Sequence, residues 1–239
     1  MRRAVDATVN GDRLRRAIAR RFSREEAEGQ TLTVGFLACA SIVLLFSLLA
    51  REVFALSGTD PLDREITLWA RSLPLPGGSG AAHAVTFFGG WPFVASATLV
   101  TVAALALRNR RVSAMLFSAS VVGGFGLETI LKLDFHRARP GPLAPLAREA
   151  TYGFPSGHAT MATVFFGGLA ALVFHVTRRP VARAAAVLGA AFAVSSVALS
   201  RVYLGVHWLT DVAAGILVGL FWVVVSATAT EIVAARHGR

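Results

Sequence analysis

Long apolar runs constrain this chain more than any other feature. There are six of them, at roughly residues 31–50, 82–107, 112–133, 159–176, 181–199 and 208–235. A bilayer core takes about 20 apolar residues per helix, whereas the strands of a membrane barrel would be short and alternating. The composition agrees, since 54% of residues are hydrophobic and only 16% are charged. We therefore predict an all-α integral membrane protein, a bundle of six transmembrane helices.

The arginines predict how this bundle is oriented. The chain carries 24 Lys and Arg residues against 14 Asp and Glu, a net charge of +10. If the amino terminus is cytoplasmic, most of these cations fall in cytoplasmic segments, as the positive-inside rule requires. The charge is then explained without a nucleic-acid partner. We predict a multi-pass protein of a bacterial plasma membrane, with both termini in the cytoplasm and membrane lipids around it.

Three segments are predicted along the chain. Residues 1–30 form a basic cytoplasmic segment, residues 31–235 the membrane domain and residues 236–239 a short cytoplasmic tail. The first segment lacks the short apolar core and small-residue cleavage site of a signal peptide. Its Leu14, Ile18 and Phe22 recur every four residues among arginines. This pattern fits either a helix on the inner membrane surface or a disordered tail that sets topology.

Two features between the spans predict local structure. Leu62, Ile66, Trp69 and Leu73 lie on one helical face, which predicts a short amphipathic helix on the outer interface with Trp69 as its anchor. Such a helix either lines the mouth of a lipid-facing site or simply covers the surface. The stretch at residues 89–92, Gly-Gly-Trp-Pro, predicts a kink in the second span, which we interpret as a packing feature.

Polar residues cluster at the ends of the last four predicted spans, all on one membrane face if the spans alternate. In chain order they are Lys132 with Arg139 and Pro140, then Pro155, Ser156, Gly157 and His158, then Ser200 and Arg201, and finally His207 and Asp211. Charged groups at this depth are costly to bury and usually functional. The topology predicts that this face is the outer one, so a functional site is expected there.

The histidine at residue 207 and the aspartate at residue 211 share a helix face, because they are four residues apart. The carboxylate can accept a hydrogen bond from one ring nitrogen and leave the other unprotonated toward a substrate. A metal pair is the rival interpretation. It is weaker, because no third ligand lies nearby in the sequence.

The helix start at residues 155–158 predicts an anion site. Ser156 can cap the helix, Gly157 allows close backbone approach, and free N–H groups attract a phosphate. His158 then stands where a general acid is needed, although a capped helix with a solvated histidine is the simpler alternative. Lys132, Arg139 and Arg201 supply cations for phosphoryl oxygens. We assign the remaining outer arginines to the surface or to lipid headgroups: Arg51, Arg64, Arg71, Arg137 and Arg148.

Together these motifs resemble those of the type 2 phosphatidic acid phosphatase family. The pattern is Lys132 and Arg139-Pro140 separated by six residues, then the residues 155–158, then Ser200-Arg201, five residues, His207, three residues and Asp211. That family is related to bacterial acid phosphatases and vanadium haloperoxidases. The resemblance spans residues 132–211, and the hydropathy of six helices covers nearly all the rest.

The resemblance implies a role for each matching position. His207 would form a phosphohistidine, Asp211 would orient it, and His158 would protonate the leaving group and then activate water. The phosphate oxygens would be held by Lys132, Arg139, Ser156, Gly157 and Arg201, with Pro140, Pro155 and Ser200 as supporting motif positions. The family works without a metal ion or other cofactor.

One acidic residue lies beyond these motifs. Glu128 stands four residues before Lys132 on the third span, and we hypothesise that it positions the lysine. The alternative is that it pairs elsewhere. We expect no catalytic role for His83, His136 or His175.

The expected function is hydrolysis of a lipid phosphate or diphosphate at the outer face of the membrane. The candidate substrates are phosphatidic acid, phosphatidylglycerol phosphate and polyprenyl diphosphate, and the bacterial members of the family favour the last. Phosphoryl transfer to an acceptor other than water stays open. So does a non-enzymatic lipid transporter or binder, although a binder would need the cations and not the paired His207 and Asp211. The oligomeric state is not predicted.

Overall fold

The structure is a computed structural model that describes residues 24–55, 61–74, 76–140 and 151–236, and side chains within these ranges from residue 29 to residue 233. The predicted segment with Leu14, Ile18 and Phe22 lies outside these ranges, as does Arg148. The described residues form eight helices: α1 Arg24–Ala55, α2 Pro61–Ser72, α3 Gly78–Phe87, α4 Trp91–Leu107, α5 Arg111–Phe135, α6 Gly157–Val176, α7 Pro180–Tyr203 and α8 Leu209–Arg236.

The predicted membrane spans recur as helices with nearly the predicted bounds. Within the described ranges, five helices are long and apolar enough to cross a membrane, namely α1, α5, α6, α7 and α8. The second apolar run is divided into α3 and α4, which meet at an angle of about 40° and pass the same test only as a pair. The kink predicted there is confirmed, since Pro92 opens α4 and cannot continue a helix from α3. The fold is therefore all-α, with five or six candidate spans.

Helix α6 lies at the centre of the bundle, against α4, α5, α7 and α8. It approaches α8 closely because the interface carries small residues. A Cβ built on Gly215 would lie 2.5 Å from the Ser156 carbonyl oxygen, so a larger residue at 215 would push the helices apart. The Ser156 N–H also donates to the Asp211 carbonyl oxygen at 2.9 Å. The starts of α6 and α8 are thus held together, which brings two of the predicted clusters into one place.

The amphipathic helix predicted around Trp69 is present as α2, and the face that it turns to the bundle carries a buried carboxylate. Asp63 and Thr67 are the buried residues, whereas Leu62 and Trp69 are 56% and 62% exposed. Ile66 and Ala70 pack on the core between α6, α7 and α8. The position of Leu62 and Trp69 on the outer interface stays a prediction, whereas the burial of Asp63 was not predicted from the hydrophobic spacing.

Candidate active site

One end of the bundle brings together all three predicted clusters. The end of α5 supplies Lys132, the start of α6 supplies Gly157, and the connection before α8 supplies His207. A Cβ built on Gly157 would lie 3.2 Å from Lys132 Nζ. Arg139 Nη1 lies 3.0 Å from His207 Nε2. Residues from distant parts of the sequence therefore form one polar site.

The pair of His207 and Asp211 lies at the bottom of this site. Both side chains are essentially inaccessible, with 1% and 0% of their surface exposed, and His207 Nδ1 lies 3.4 Å from Asp211 Oδ2. This distance is long for a hydrogen bond, and the same oxygen also accepts the Trp208 N–H at 3.0 Å. Gly205, whose φ is 69°, makes the turn that brings His207 into place. The carboxylate can hold the Nδ1 proton and leave Nε2 with its lone pair.

The electrostatic surroundings keep His207 neutral. Burial lowers the pKa of the His207 imidazole well below its ordinary value, and the charges of Arg139, Arg201, Lys132 and His158 lower it further. An imidazole that stays unprotonated at neutral pH is a nucleophile or a base, not a cation. The site therefore combines a neutral nitrogen with several positive charges.

The Arg139 guanidinium already donates hydrogen bonds to several protein acceptors. Its Nε donates to the Thr151 carbonyl oxygen at 2.6 Å, and its Nη2 donates to Thr151 Oγ1 and the Tyr152 carbonyl oxygen, both at 3.1 Å. Its Nη1 donates to the Val206 carbonyl oxygen at 2.9 Å and points at His207 Nε2. The guanidinium therefore joins the segment before α6 to the loop of His207. A phosphoryl oxygen arriving at Nε2 can replace the ring nitrogen as one of its acceptors.

Glu128 and Lys132 form the ion pair that their spacing predicts. Glu128 Oε1 lies 2.7 Å from Lys132 Nζ, and the side chains are only 6% and 14% exposed. Gly157 lies directly against this pair, because a Cβ on it would come within 2.6 Å of Glu128 Oε1. The absence of a side chain at 157 thus allows the start of α6 to reach the lysine.

Ser156 precedes α6 as predicted, but the predicted cap is wrong. Its side chain makes no capping hydrogen bond, and its Oγ is buried without a hydrogen-bond partner among the described residues. A buried hydroxyl without a partner is costly unless something else satisfies it. The first N–H groups of α6 and this hydroxyl form a place where an anion can bind.

A cavity of about 780 Å³ opens beside this polar end. Its inner wall is polar and is formed by Glu128, Lys132, Gly157 and His158 among others. Its outer wall is apolar: Trp91, Phe125 and Leu133 line it and are 48%, 42% and 62% exposed on the bundle surface. The cavity therefore leads from charged groups to the surface that lipid tails would cover.

The break between α3 and α4 belongs to this site, which corrects our interpretation of it as a packing feature only. Gly89 and Trp91 line the cavity, and a Cβ on Gly89 would lie 2.7 Å from the His158 carbonyl oxygen. Thr86, at the end of α3, accepts a hydrogen bond from Arg201 Nη1 at 2.9 Å, and both side chains are buried. Thr86 was not predicted from the sequence, since nothing local distinguishes it from other threonines in apolar helices.

Arg137 was assigned to the surface or to lipid headgroups, and this assignment is wrong. The residue is only 3% exposed. Its Nη1 lies 2.5 Å from Asp211 Oδ1, and its Nη2 lies 2.9 Å from Asp63 Oδ2. Asp63 was not predicted from the sequence either, because its partners lie far along the chain and leave no local pattern. Arg71, also assigned to the surface, lies with its guanidinium beside Gly205.

The other described histidines lie away from this centre. His136 ends α5 with a φ of 47° and contacts the Tyr152 ring at 4.5 Å, and His175 lies 3.6 Å from Glu231 at the opposite end of the bundle. His83 is exposed on α3. Within the described ranges, no group of three or more His, Cys, Asp or Glu residues is arranged to hold a metal ion.

Comparisons with known proteins agree with this arrangement. The sequence profile of the PAP2 superfamily matches residues 111–232, about half of the chain. Phosphatidylglycerophosphatase B of Bacillus subtilis is 38% identical over 95 residues, which cover 39% of this chain and 46% of that relative. The match thus spans less than half the length of the curated relative.

Two solved structures share the fold. The crystal structure of a transmembrane PAP2 type phosphatidylglycerolphosphate phosphatase from Bacillus subtilis superposes with a TM-score of 0.74 and 26% identity, over 82% of this chain and 96% of that one. The crystal structure of Aquifex aeolicus LpxE superposes with a TM-score of 0.54 and 22% identity, over 70% and 95% of the two chains. The second likeness concerns the fold alone.

Proposed function

Since the chain belongs to the PAP2 superfamily, we propose that it is a membrane phosphatase that releases phosphate from a lipid through a phosphohistidine at His207. One observation carries this proposal. A buried neutral imidazole is oriented by Asp211 and directs Nε2 toward Arg139, beside a cavity with a charged inner wall and an apolar outer wall. A pure lipid binder needs such cations but has no use for an oriented imidazole.

The first half-reaction follows from this geometry. Nε2 of His207 attacks the phosphorus, a P–N bond forms, and the bond from phosphorus to the leaving oxygen breaks. His158 gives its proton to that oxygen, so the alcohol or phosphate leaves neutralised. Asp211 accepts the hydrogen bond from Nδ1–H and stabilises the positive charge that the ring acquires.

The second half-reaction reverses these roles. His158, now neutral, takes a proton from water as the water oxygen attacks the phosphorus. The P–N bond breaks, inorganic phosphate leaves and His207 is restored. In both steps Lys132, Arg139 and Arg201 stabilise the phosphoryl oxygens, with the Ser156 hydroxyl and the Gly157 N–H as further donors. We propose this pathway without a metal ion.

The cavity supports a lipid as the substrate. Its apolar wall reaches the bundle surface at Leu133, so an acyl tail can stay in the bilayer while the phosphate reaches Lys132. The bacterial family members favoured polyprenyl diphosphate. The sequence match and the structural match from Bacillus subtilis both bear the name of a phosphatidylglycerol phosphate phosphatase. We therefore propose phosphatidylglycerol phosphate as the first substrate to test, with phosphatidic acid and polyprenyl diphosphate beside it.

For the topology we propose six spans, with α3 and α4 as one bent span, in a bacterial plasma membrane. Residues 1–30 and 236–239 would be cytoplasmic, residues 31–235 would form the membrane domain, and the active site would face outward. Arginines at the end of the bundle opposite the site support this orientation, since Arg110, Arg178 and Arg183 line a cleft there.

Phosphate release from purified protein in detergent tests this function. With a chelator present, we expect phosphate from at least one of the three lipids named above and little from a water-soluble phosphate ester. Activity that requires added metal would overturn the mechanism. Product analysis in the presence of excess alcohol separates hydrolysis from transfer, because transfer would form a new phosphate ester. A protein that binds these lipids and releases nothing would be a transporter or binder.

Replacing Glu128 by Gln is expected to lower kcat about 10-fold. The change keeps the shape and removes the charge that holds Lys132 Nζ at 2.7 Å, so the lysine becomes free to move. Glu128 acts through the lysine, so its effect should shrink to nothing in a Lys132→Ala background, as a double-mutant cycle measures. The matched control is Glu231→Gln, a partly exposed acid at the other end of the bundle. Wild-type kcat in Glu128→Gln would contradict a positioning role.

The pH dependence of kcat/KM should reflect the lowered pKa of His207. A protonated His207 has no lone pair for attack, so activity falls as the pH drops through its pKa. Because that pKa lies well below the ordinary 6.5, the acid limb should lie below pH 6.5. Arg139→Gln removes one of the charges that lower the pKa and should move the limb upward. An acid limb at or above pH 6.5 in the wild-type protein would contradict this environment.

A further inference from the structure

A buried chain of charges joins helix α2 to the catalytic pair. Arg137 Nη2 lies 2.9 Å from Asp63 Oδ2, and Arg137 Nη1 lies 2.5 Å from Asp211 Oδ1. All three side chains are at most 1% exposed. Burying two carboxylates and a guanidinium is costly unless each is paired and hydrogen-bonded. The burial of these three charged groups therefore indicates a role beyond that of a surface ion pair.

Thr210 hydrogen-bonds to both Asp63 and Arg137 and so adds a third contact to this group of buried charges. Its N–H donates to Asp63 Oδ1 at 3.0 Å, its hydroxyl donates to Asp63 Oδ2, and the same hydroxyl accepts from Arg137 Nη1 at 2.7 Å. Thr210 directly precedes Asp211. Asp63 therefore binds both the Arg137 side chain, which contacts Asp211, and the backbone N–H of Thr210, which directly precedes Asp211.

The carboxylate of Asp211 is fixed by donors on both of its oxygens. Oδ1 is held by Arg137, and Oδ2 accepts the Trp208 N–H and faces His207 Nδ1. Without Arg137 the carboxylate could rotate and lose its alignment with the ring. Without the Asp63 carboxylate, Asp211 would be the one acidic partner left to Arg137 within this group of Asp63, Arg137 and Asp211.

We propose that Asp63 and Arg137 are positioning residues for the pair of His207 and Asp211, and that α2 is thereby part of the active site. The inference rests on the proposed function of that pair. A second contact of α2 points the same way, because a Cβ on Gly205, in the turn before His207, would lie 3.3 Å from Arg71 Nη1. The helix thus touches the loop of His207 at one point and the start of α8 at another.

The two carboxylates of Asp63 and Asp211 share the positive charge of Arg137. Because Asp63 neutralises part of that charge, the Asp211 carboxylate attracts the Nδ1–H of His207 more strongly. When Asp63 is replaced by a neutral residue, Arg137 pairs with Asp211 alone. The attraction of the Asp211 carboxylate for the Nδ1 proton of His207 then weakens. Nε2 then becomes a weaker base and a slower nucleophile, while the groups that bind phosphate are unchanged.

The test compares Asp63→Asn with Glu65→Gln, which removes the same charge from an exposed position of α2. For Asp63→Asn we expect kcat to fall about 10- to 100-fold, the size of effect that outer hydrogen-bond partners have on metal-bound histidines. KM should change less than about threefold, since the cations that hold phosphate remain. The acid limb of kcat/KM should move to lower pH. The groups that face His207, namely Arg139, Arg201, Lys132, His158 and Asp211, stay the same in both variants. Glu65→Gln should behave as wild type.

The outcomes separate the two proposals. An inactive wild-type protein would refute the proposed function, whereas an active wild type with a wild-type kcat and acid limb in Asp63→Asn would refute only the positioning role. A lower kcat with an unmoved acid limb would also refute the positioning role. That result is what partial unfolding produces, because it lowers the number of active molecules and leaves the pH dependence of the remaining ones unchanged. If Asp63→Asn does not fold, Thr210→Val decides. This variant removes the shared hydroxyl without changing charge, and wild-type kcat and pH profile in it would overturn the proposal.

Discussion

Replacing His207 by Ala is expected to lower phosphate release by about 10⁴-fold or more, the scale on which removal of a covalent nucleophile acts. The fold should tolerate the change, because the missing ring leaves Asp211 held by Arg137 and the Trp208 N–H. His83→Ala is the matched control, since that histidine is exposed on α3. Activity that survives His207→Ala would overturn the mechanism.

Acid-labile labelling of the protein tests the proposed covalent step directly. Wild-type protein mixed with a ³²P-labelled lipid phosphate and quenched in alkaline detergent should carry label that acid removes. His207→Ala should carry none. His158→Ala should hold the label longer than wild type, because water then attacks the phosphohistidine without a general base to take its proton. Rapid turnover without any labelled protein would point to direct attack by water.

Replacing Lys132 by Arg is expected to lower kcat by about 10²-fold although the charge is kept, because removing one donor to the transition state has an effect of this size. Lys132 is the chain's one lysine; its other cations are arginines. Its Nζ lies 2.7 Å from Glu128 Oε1 and is closely approached by Gly157. A planar guanidinium is larger and cannot occupy that point without displacing one of these neighbours.

The control for this change is Arg108→Lys, a swap of the same two residue types at an exposed position of the opposite end. It should leave both kcat and the thermal stability unchanged. Near-normal kcat in Lys132→Arg would mean that a positive charge is sufficient at this point. The specific demand for an ammonium would then be wrong.

Much of this site was predictable because it is local in sequence. The four-residue spacings of Glu128 with Lys132 and of His207 with Asp211 put each pair on one helix face, and both pairs are close in the structure. The glycine at 157 and the break at residues 89–92 were also recognisable. The cap by Ser156 was predicted wrongly, because propensity favours a serine there without determining where its hydroxyl points.

The residues that were missed have distant partners. Arg137 and Asp211 are 74 positions apart, and Thr86 and Arg201 are 115 positions apart. An arginine in a loop before a proline looks like a surface residue until its partners are known. The burial of Asp63 on α2 was missed for the same reason, since this carboxylate is buried where Arg137 and Thr210 hydrogen-bond to it.

The sequence by itself determined the class of this protein, its apolar spans and the three groups of polar residues that resemble the motifs of the family. These follow from hydropathy and short spacings, which act over one or two helical turns. Only the tertiary structure decided that Arg137 contacts both Asp63 and Asp211, that Arg139 faces His207 Nε2, and that the break after α3 borders the cavity. Such contacts arise when helices pack, and the strength of a buried charge pair depends on that packing.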